Sequence, residues 1–400
     1  MSLQVIGPKI RGFICTNAHP TGCLKNVQSQ IDLAKKDIES TENTPNILVI
    51  GASTGYGLAS RIALTWGYGA NTIGVFFERP PSGNKTGSTG YYNSAAFHQM
   101  AAQDKFTAIS INGDAFSDQI KQKTIDQIQE HFGQIDLVVY SLASPRRIHP
   151  KTGVDHRSVL KPVGDPCTGK TIDLTNENIT NITIDPATNE EIADTIAVMG
   201  GEDLDFWVEL LLSEDLLAPR AKIVAYSYIG PQITDQIYSS GTIGLAKADL
   251  EQRINAIDTR LLDQINGRAY LSVNKAVVSQ ASAAIPIVPL YISILYQIMD
   301  AKNLNEKPID QMIRLFSEYL GPGLVPVVDK NRRIRMDDRE LRPDVLAEVN
   351  EKWSLVNNDN FHELADFEGY KKSFRNLFGF EVDDVDYGQP VETEVTIPLV

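Results

Sequence analysis

Short apolar runs alternate with longer amphipathic stretches between residues 46 and 144. The runs NILVIGA, TIGVFFE, FTAISINGD and IDLVVYSLAS resemble buried strands, whereas GLASRIALTWG and QIKQKTIDQIQEHFG have the apolar spacing of helices. Parallel strands need a crossover between them, which is usually a helix. The alternation therefore predicts an α/β fold with a Rossmann-type, doubly wound parallel sheet.

The pattern changes on both sides of this region. Residues 145–200 are rich in Pro, Gly, Asn and Thr, which favours an inserted β-rich loop region with hairpins. Regular patterns resume with the strand-like KIVAYSYIG, the helical ADLEQRINAIDTRLLDQI and the strand-like AYLSVNKAVVS. We expect an N-terminal extension over 1–45 that includes a helix over 27–41, a core over 46–300, and an appended, mostly helical C-terminal cap over 301–400. All three are expected to pack as one unit.

Composition and charge limit the partners of the chain. It has 37 Lys and Arg against 51 Asp and Glu, a net charge of -14, which repels nucleic acid and anionic membranes. The N-terminus lacks the uninterrupted apolar stretch of a secretion signal, and the most apolar run, 281–299, is interrupted by prolines and polar residues. Three cysteines suit a reducing compartment. We expect a cytoplasmic protein with neither nucleic acid nor membrane as a partner.

The stretch VIGASTGYGLAS has a phosphate-binding pattern. Gly51, Gly55 and Gly57 lie between a predicted strand and a predicted helix, where the absence of Cβ lets the backbone approach a pyrophosphate at the helix N-terminus. Glu78 ends the next predicted strand, and a carboxylate there accepts hydrogen bonds from ribose hydroxyls and repels a 2′-phosphate. The pattern predicts NADH as the cofactor, with NADPH weaker. The alternative is that the glycines serve close packing and that Glu78 is a surface residue.

Two further strand ends fall at the same predicted edge of the sheet. Asp114-Ala115 follows the third strand and Leu142-Ala143 the fourth, so contacts with adenine and the nicotinamide ribose are expected there. The alternative for Asp114 is an ordinary helix N-cap.

The stretch YSSGTIGLAK places Tyr238 nine positions before Lys247. On one continuous helix that interval would be a rotation of roughly 900°, which points the two side chains to opposite faces. The Ser-Ser-Gly after Tyr238 is unfavourable inside a helix, so the helix is predicted to begin near Gly241 or Thr242, with Tyr238 on the preceding loop. Lys247 would then bind the nicotinamide ribose and lower the pKa of Tyr238, which would donate a proton to the substrate. The alternatives are a solvated lysine and a buried aromatic residue.

Several longer motifs extend over nearly the whole chain: HPTGC, GASTGYGLASRI, GVFFE, NGDAFS, DLVVYSLASP, VMGGED, AYSYIG and SAAIPIVPLY. Together with the glycine order GxxxGxG and the Tyr-x8-Lys pair, they make the chain similar to the trans-2-enoyl-CoA/enoyl-ACP reductase family (FabV type), a short-chain dehydrogenase/reductase-like group. The resemblance implies NADH-dependent reduction of the trans-2 double bond of an enoyl thioester on CoA or acyl carrier protein, in the fatty acid elongation cycle. It also implies a monomer.

The resemblance assigns roles to individual residues. Tyr238 would protonate the enolate after hydride reaches the β-carbon, with Lys247 assisting, and Tyr228 would contact the substrate. The residues implied in NADH binding, besides Lys247, are Gly51, Ala52, Ser53, Thr54, Gly55, Tyr56, Gly57, Phe77, Glu78, Asp114, Ala115, Leu142, Ala143, Val277, Val278 and Ser279. The C-terminal region of this family is labelled FAD-binding, but this chain has no second glycine-rich phosphate loop, so no flavin is assigned.

Two other patterns compete with this interpretation. GDPCTGKT, over 164–171, matches a P-loop, but no helical pattern follows it, and a turn in a hairpin is expected instead. Cys15, His19 and Cys23 have a spacing that zinc ligands use, but a fourth ligand is not nearby, and no metal is expected.

Two other functions stay open on the residues alone. One is a short-chain carbonyl reductase or epimerase acting on a C=O group, and the other is a non-catalytic NAD(H)-sensing protein. If the chain is an enoyl reductase, SAAIPIVPLYISILY is expected to line an acyl tunnel, with Ile287 limiting the chain length. Residues that depart from the family pattern, or that offer positive charge to a carrier, are Arg146, Arg147, Lys151, Lys161, Arg332, Arg333, Arg335 and Arg339.

Overall fold

The computed structural model describes residues 3–37, 44–173, 176–321 and 323–400. The strands are β1 (Leu3–Gln4), β2 (Ile10–Arg11), β3 (Ile14–Cys15), β4 (Asn46–Ile50), β5 (Asn71–Phe76), β6 (Ala108–Asn112), β7 (Ile135–Tyr140), β8 (Arg146–Ile148), β9 (Asp155–Arg157), β10 (Cys167–Ile172), β11 (Ile179–Ile184), β12 (Leu217–Ser227), β13 (Arg268–Val273), β14 (Arg333–Arg335) and β15 (Val391–Glu392). The helices are α1 (Pro20–Asp37), α2 (Gly55–Tyr68), α3 (Thr89–Gln103), α4 (Asp118–His131), α5 (Asn189–Met199), α6 (Glu202–Ser213), α7 (Thr242–Ile265), α8 (Gln280–Ala283), α9 (Val288–Ala301), α10 (Pro308–Leu315), α11 (Pro343–Leu355), α12 (Phe361–Leu364) and α13 (Phe367–Asn376).

A seven-stranded sheet in the order β14-β13-β12-β7-β4-β5-β6 forms the centre of the molecule. Every neighbouring pair in it is parallel. The winding reverses between β4 and β7, and the carboxyl ends of strands at such a reversal border the crevice in which ligands of doubly wound sheets bind. The predicted Rossmann-type fold is confirmed.

Each face of the sheet has its own hydrophobic core, because side chains alternate along a strand. In β4, Ile47 and Val49 belong to one core, and Leu48 and Ile50 belong to the other. The first core also contains residues of α1, α2, α3, α9 and α10, and the second contains residues of α4, α6 and α7. Burial on both faces explains why the strands are continuously apolar.

The inserted region contains the expected hairpins and one helix, α5, that the composition did not indicate. β8 pairs with β9 and β10 with β11, both antiparallel. The P-loop-like stretch 164–171 runs into β10, so the hairpin interpretation is confirmed. Helix α5 begins at a capping box in which Thr188 and Glu191 exchange side-chain-to-backbone bonds, and this Thr-x-x-Glu pattern could have predicted it.

Both chain ends return to the core. β1 pairs with β15, and β14 adds the last strand to the central sheet beside β13. The helix predicted over 27–41 begins earlier, at Pro20, and is described as far as Asp37, whereas residues 38–41 lie outside the described residues. Within the described ranges, no helix is long and apolar enough to cross a membrane.

Candidate functional site

The glycine loop lies at the point where the sheet reverses. A Cβ on Gly51, whose φ is +89°, would lie 2.3 Å from the carbonyl oxygen of Ser141 at the end of β7, and a Cβ on Gly57 would lie 2.0 Å from the carbonyl oxygen of Gly51. Thr54 is the N-cap of α2, but its side chain makes no capping bond. The loop therefore brings backbone and an uncapped helix N-terminus to the crevice, an arrangement that fits a pyrophosphate.

Glu78, just after β5, is held in place on both oxygens. Its Oε1 accepts a hydrogen bond from Ser53 Oγ at 2.7 Å, and its Oε2 accepts one from Ser88 Oγ. The Asn112 side chain bonds the backbone N–H and carbonyl of Glu78 at 2.8 Å each. The neighbouring Phe77 is 77% exposed. The carboxylate is thus fixed rather than a free surface charge, and its part in ribose binding stays a prediction.

The segment after β6 is organised by a buried lysine. Lys121 Nζ donates to the carbonyls of Ala115 and Phe116 at 2.9 and 3.0 Å and forms an ion pair with buried Asp203 at 2.6 Å. The Asp114 carboxylate accepts from the Phe116 N–H, whereas Ser117 is the N-cap of α4. The alternative of Asp114 as an N-cap is therefore wrong.

The predicted cofactor contacts near β7 and β13 lie at the same edge of the sheet. Leu142-Ala143 follows β7, and the loop 274–279 follows β13. The hydroxyl of Tyr56, in the glycine loop, donates to the Lys275 carbonyl at 2.7 Å and so joins the two loops. In the loop after β13, the Val278 N–H donates to the hydroxyl of Tyr296. Val277 and Ser279 flank Val278, and Ser279 is the N-cap of α8.

Lys247 contacts Tyr226, near the end of β12, and Tyr238 contacts Tyr228, just after it. Helix α7 begins at Thr242 with Gly241 as its N-cap, so the predicted start of the helix is confirmed. The ring of Tyr238 packs edge-on against that of Tyr228, with centroids 4.9 Å apart. Lys247 Nζ donates a hydrogen bond of 3.3 Å to the carbonyl oxygen of Tyr226, which lies two positions before Tyr228. Within the described part of the chain, the hydroxyl of Tyr238 has no hydrogen-bond partner.

The electrostatics of this pair differ from the expectation in one respect. Burial raises the pKa of the Tyr238 phenol, whereas Lys247 was expected to lower it. Burial also lowers the pKa of Lys247 to about 8. Desolvation disfavours the charged form of both groups, and a sequence does not show it. The phenol is accordingly protonated at neutral pH, as a proton donor must be.

A buried carboxylate beside this pair was missed in the sequence. Glu340 is completely buried and accepts hydrogen bonds from the hydroxyls of Tyr228 at 2.9 Å and Tyr291 at 2.6 Å, and from the Ala276 N–H at 2.7 Å. Lys275, 1% exposed, donates to the Ala276 carbonyl at 2.7 Å. Glu340 lies in the charged stretch MDDRELRPD, which is typical of an exposed segment, so no local pattern could have indicated its burial.

Cys15, His19 and Cys23 have separate surroundings. Cys15 Sγ donates to the Asn17 carbonyl, Cys23 Sγ lies 3.5 Å from the Thr89 hydroxyl, and His19 Nδ1 accepts from the Gly22 N–H. The residues that the structure describes contain no cluster of three or more His, Cys, Asp or Glu placed to hold a metal ion.

The cations considered for carrier binding are all engaged in ion pairs. Arg147 is also buried, and Arg339 reaches the buried Glu306 at 3.3 Å. The other pairs are Arg146–Asp155, Arg147–Glu202, Lys151–Asp118, Lys161–Glu191, Arg332–Asp258, Arg333–Glu251 and Arg335–Asp337.

Fold and site together define the class: a Rossmann-type dinucleotide-binding protein in which Tyr238 and Lys247 each contact a tyrosine at or just after the carboxyl end of β12. Comparisons with known proteins identify the family. Residues 5–83 match a model described as the NAD(P)H binding domain of trans-2-enoyl-CoA reductase, 85–320 one described as its catalytic region, and 328–391 one described as an enoyl reductase FAD binding domain. The chain belongs to the trans-2-enoyl-CoA reductase family.

Relatives and solved structures agree along the whole chain. It is 51% identical to a trans-2-enoyl-CoA reductase [NADH] of Ruminiclostridium cellulolyticum, covering 98% of this chain and 99% of the relative. It is also 51% identical to an enoyl-[acyl-carrier-protein] reductase [NADH] of Coxiella burnetii, covering 99% and 98%. The crystal structure of a Clostridium acetobutulicum trans-2-enoyl-CoA reductase in complex with NADH superimposes with a TM-score of 0.94 at 44% identity, covering 98% of both chains.

Proposed function

We propose that this protein is an NADH-dependent reductase of the trans-2 carbon–carbon double bond of enoyl thioesters in fatty acid synthesis. One observation carries the proposal: of the three phenols Tyr226, Tyr228 and Tyr238, only that of Tyr238, 9% exposed, has no hydrogen-bond partner among the described residues. The hydroxyls of Tyr226 and Tyr228 are bound to Ser60 and Glu340. A buried phenol without a protein partner is available to a substrate oxygen. The names and NADH complex of the relatives support the same activity.

The residues at the crevice fit NADH. The space that a Cβ would fill at Gly51 and Gly57 is taken by neighbouring backbone, which keeps the loop in a shape suited to a pyrophosphate, and the fixed carboxylate of Glu78 suits a ribose diol. The residues proposed to hold NADH are 51–57, 77–78, 114–115, 142–143, Lys247 and 277–279. The same carboxylate would repel the 2′-phosphate of NADPH, so NADPH should bind more weakly.

When bound, NADH supplies a hydride to the β-carbon of the double bond. Charge then develops on the thioester oxygen, and a donor placed there stabilises it. Tyr238 donates its proton toward this charge, and Tyr228 packs beside it against the substrate. Lys247, held against β12 by the Tyr226 carbonyl, places a positive charge on the same side and favours proton transfer from the phenol.

We propose that the reductase works without flavin, although residues 328–391 match a model described as FAD-binding. The structure describes all of residues 328–391, and the three glycines in this range have structural roles in packing and turns. A Cβ on Gly379 would lie 2.6 Å from the His19 carbonyl oxygen, and Gly369 and Gly388 donate to the Asp366 and Asp386 side chains of local turns. No strand, glycine loop and helix follow one another here as they do at 46–68.

The oligomeric state, the cellular location and the acyl carrier of the enzyme are further proposals. The cysteines Cys15, Cys23 and Cys167 are free, which suits the cytoplasm. The family resemblance favours a monomer, and the carrier is a CoA or acyl carrier protein thioester.

The proposed function is tested by turnover of crotonyl-CoA with NADH, followed as loss of NADH absorbance, with and without added FAD. We expect turnover that does not depend on FAD, a lower kcat/KM with NADPH, and no turnover of a β-ketoacyl thioester. Turnover of the ketone alone would favour a carbonyl reductase. NADH binding without any turnover would favour a sensing protein, and a rate that rises with FAD would contradict the assignment without flavin.

A further inference from the structure

Glu340 reaches the catalytic pair from the far end of the chain. β14 lies beside β13 at the edge of the sheet, and the Met336 N–H continues the ladder by donating to the Val273 carbonyl at 2.8 Å. The chain then turns inward, and Glu340 ends with no exposed surface, behind Tyr228. The segment that carries it belongs to the C-terminal region matched by the model described as FAD-binding.

The carboxylate meets donors from three separate elements. Tyr228 follows β12, Tyr291 lies in α9, and Ala276 lies in the loop after β13. An ionised carboxylate only accepts, so all three bonds are satisfied at once when Glu340 is charged. Burial raises the pKa of Glu340, and the positive charge of Lys275 nearby counters part of that rise and so offsets part of the cost of burying the carboxylate. A buried charge with this set of donors holds its partners in one geometry.

The bond to Glu340 decides what Tyr228 can do. The phenol has one hydrogen, and Glu340 receives it, so Tyr228 has none left for a thioester oxygen. Gly230, whose φ is +76°, lets the backbone pass close to the ring, since a Cβ there would lie 2.8 Å from the Tyr228 hydroxyl. The ring is thereby kept against Tyr238, with the free hydroxyl of Tyr238 as the donor.

We propose that Glu340 is a positioning residue of the reaction: it holds Tyr228 against Tyr238 and keeps the Tyr228 proton away from the substrate. The inference rests on the proposed function and gives the C-terminal segment a part in catalysis. Because Glu340 acts through Tyr228, a double-mutant cycle between these two positions measures the coupling directly.

The cycle combines Glu340→Gln with Tyr228→Phe, assayed with crotonyl-CoA and NADH. In Glu340→Gln the amide oxygen can still accept from the rigid Ala276 N–H, so the NH2 group faces the two phenols, whose hydroxyls rotate to accept. Tyr228 then has a free proton and a loosened ring. We expect kcat to fall about 10- to 100-fold, as for other residues that orient a reacting group. The KM for NADH should stay within about threefold, because the loop bond at Ala276 persists.

The decisive comparison is the double variant. The double variant should have a kcat no more than about threefold below that of Tyr228→Phe alone. The reason is that the effects of two residues that act through each other are not additive in free energy. Fully multiplicative losses would overturn the proposal. Tyr291→Phe is the matched comparison, because it removes the other phenol from the same oxygen and leaves the Tyr228 bond in place, and its loss of kcat should be at least about fivefold smaller than that of Glu340→Gln. An equal loss in Tyr291→Phe would also overturn the proposal, since it would mean that general loosening of the carboxylate is sufficient.

Folding and function are checked separately. Thermal unfolding shows whether Glu340→Gln folds. If it does not fold, the same cycle is run with Glu340→Asp, which keeps the negative charge and moves it away from Tyr228. If the wild type does not reduce crotonyl-CoA, the proposed function fails. If the wild type is active but the losses of the two single variants multiply in the double variant, only the proposed role of Glu340 is refuted, and the proposed function stands.

Discussion

The proposed cofactor crevice and the proposed catalytic centre are built in opposite ways. The crevice uses backbone from one stretch of chain, Gly51 to Gly57, closed against the neighbouring strand at Ser141. The proposed catalytic centre uses side chains from distant segments: Glu340 accepts a hydrogen bond from Tyr228, and the ring of Tyr228 packs against that of Tyr238. A phosphate site needs N–H groups and close approach, which a short motif can encode, whereas a proton donor needs an environment that only the folded chain provides.

The largest expected effect is at the catalytic centre. Tyr238→Phe removes the free hydroxyl and keeps the ring that packs on Tyr228, so we expect kcat to fall about 10²- to 10⁴-fold, the usual contribution of a positioned acid. The measurement is steady-state turnover of crotonyl-CoA. NADH affinity, measured by fluorescence titration, should be unchanged because the crevice is intact.

Tyr238→Phe also tests the independence of the two regions. Turnover close to that of wild type would remove Tyr238 from the mechanism. A large loss of NADH affinity would show that the phenol holds the cofactor instead, and the two regions could not be treated as separate.

The complementary change is in the crevice. In Gly57→Ala the new Cβ would lie 2.0 Å from the Gly51 carbonyl oxygen, so the loop must move, and overpacking of this kind costs about 1–3 kcal/mol. Displacing the loop should raise the Kd of NADH about tenfold, or about 1.4 kcal/mol. The measurements are NADH titration and thermal unfolding.

Gly69→Ala is the control at the other end of the same helix. Gly69 is the C-cap of α2, with φ +67°, and a Cβ added to it would have no neighbouring atom within 4 Å, so alanine costs only backbone strain of about 1 kcal/mol. It should lower the unfolding temperature and leave the Kd of NADH unchanged. Equal effects of both variants on NADH binding would mean that helix stability, rather than loop shape, controls the crevice.

The same contrast explains how far the sequence could be interpreted. The central strands β4 to β7, β12 and β13, the glycine loop and the start of α7 follow from local patterns and were predicted. The burial of Glu340 was not, because its donors lie at least 49 positions away along the chain. The pKa direction of Tyr238 was wrong for a related reason: the expectation counted the charge of Lys247 and could not count desolvation. Short motifs encode the local backbone geometry, but they do not encode the burial and neighbours of a side chain in the folded protein.

The smallest expected effect concerns the acyl chain. Ile287, the N-cap of α9, is buried at φ +76°, a strained conformation for a β-branched residue and one that is frequent at ligand sites. Its side chain faces the inserted hairpin, because a Cβ on Gly169 would lie 2.5 Å from Ile287 Cδ1. If this segment lines the acyl tunnel, Ile287→Phe should lower kcat/KM for a long-chain enoyl-CoA about fivefold more than for crotonyl-CoA, or about 1 kcal/mol. Gly169→Ala should shift the ratio in the same direction, because the new Cβ would displace the Ile287 side chain. An unchanged ratio in both variants, with folding intact by thermal unfolding, would show that the acyl chain lies elsewhere.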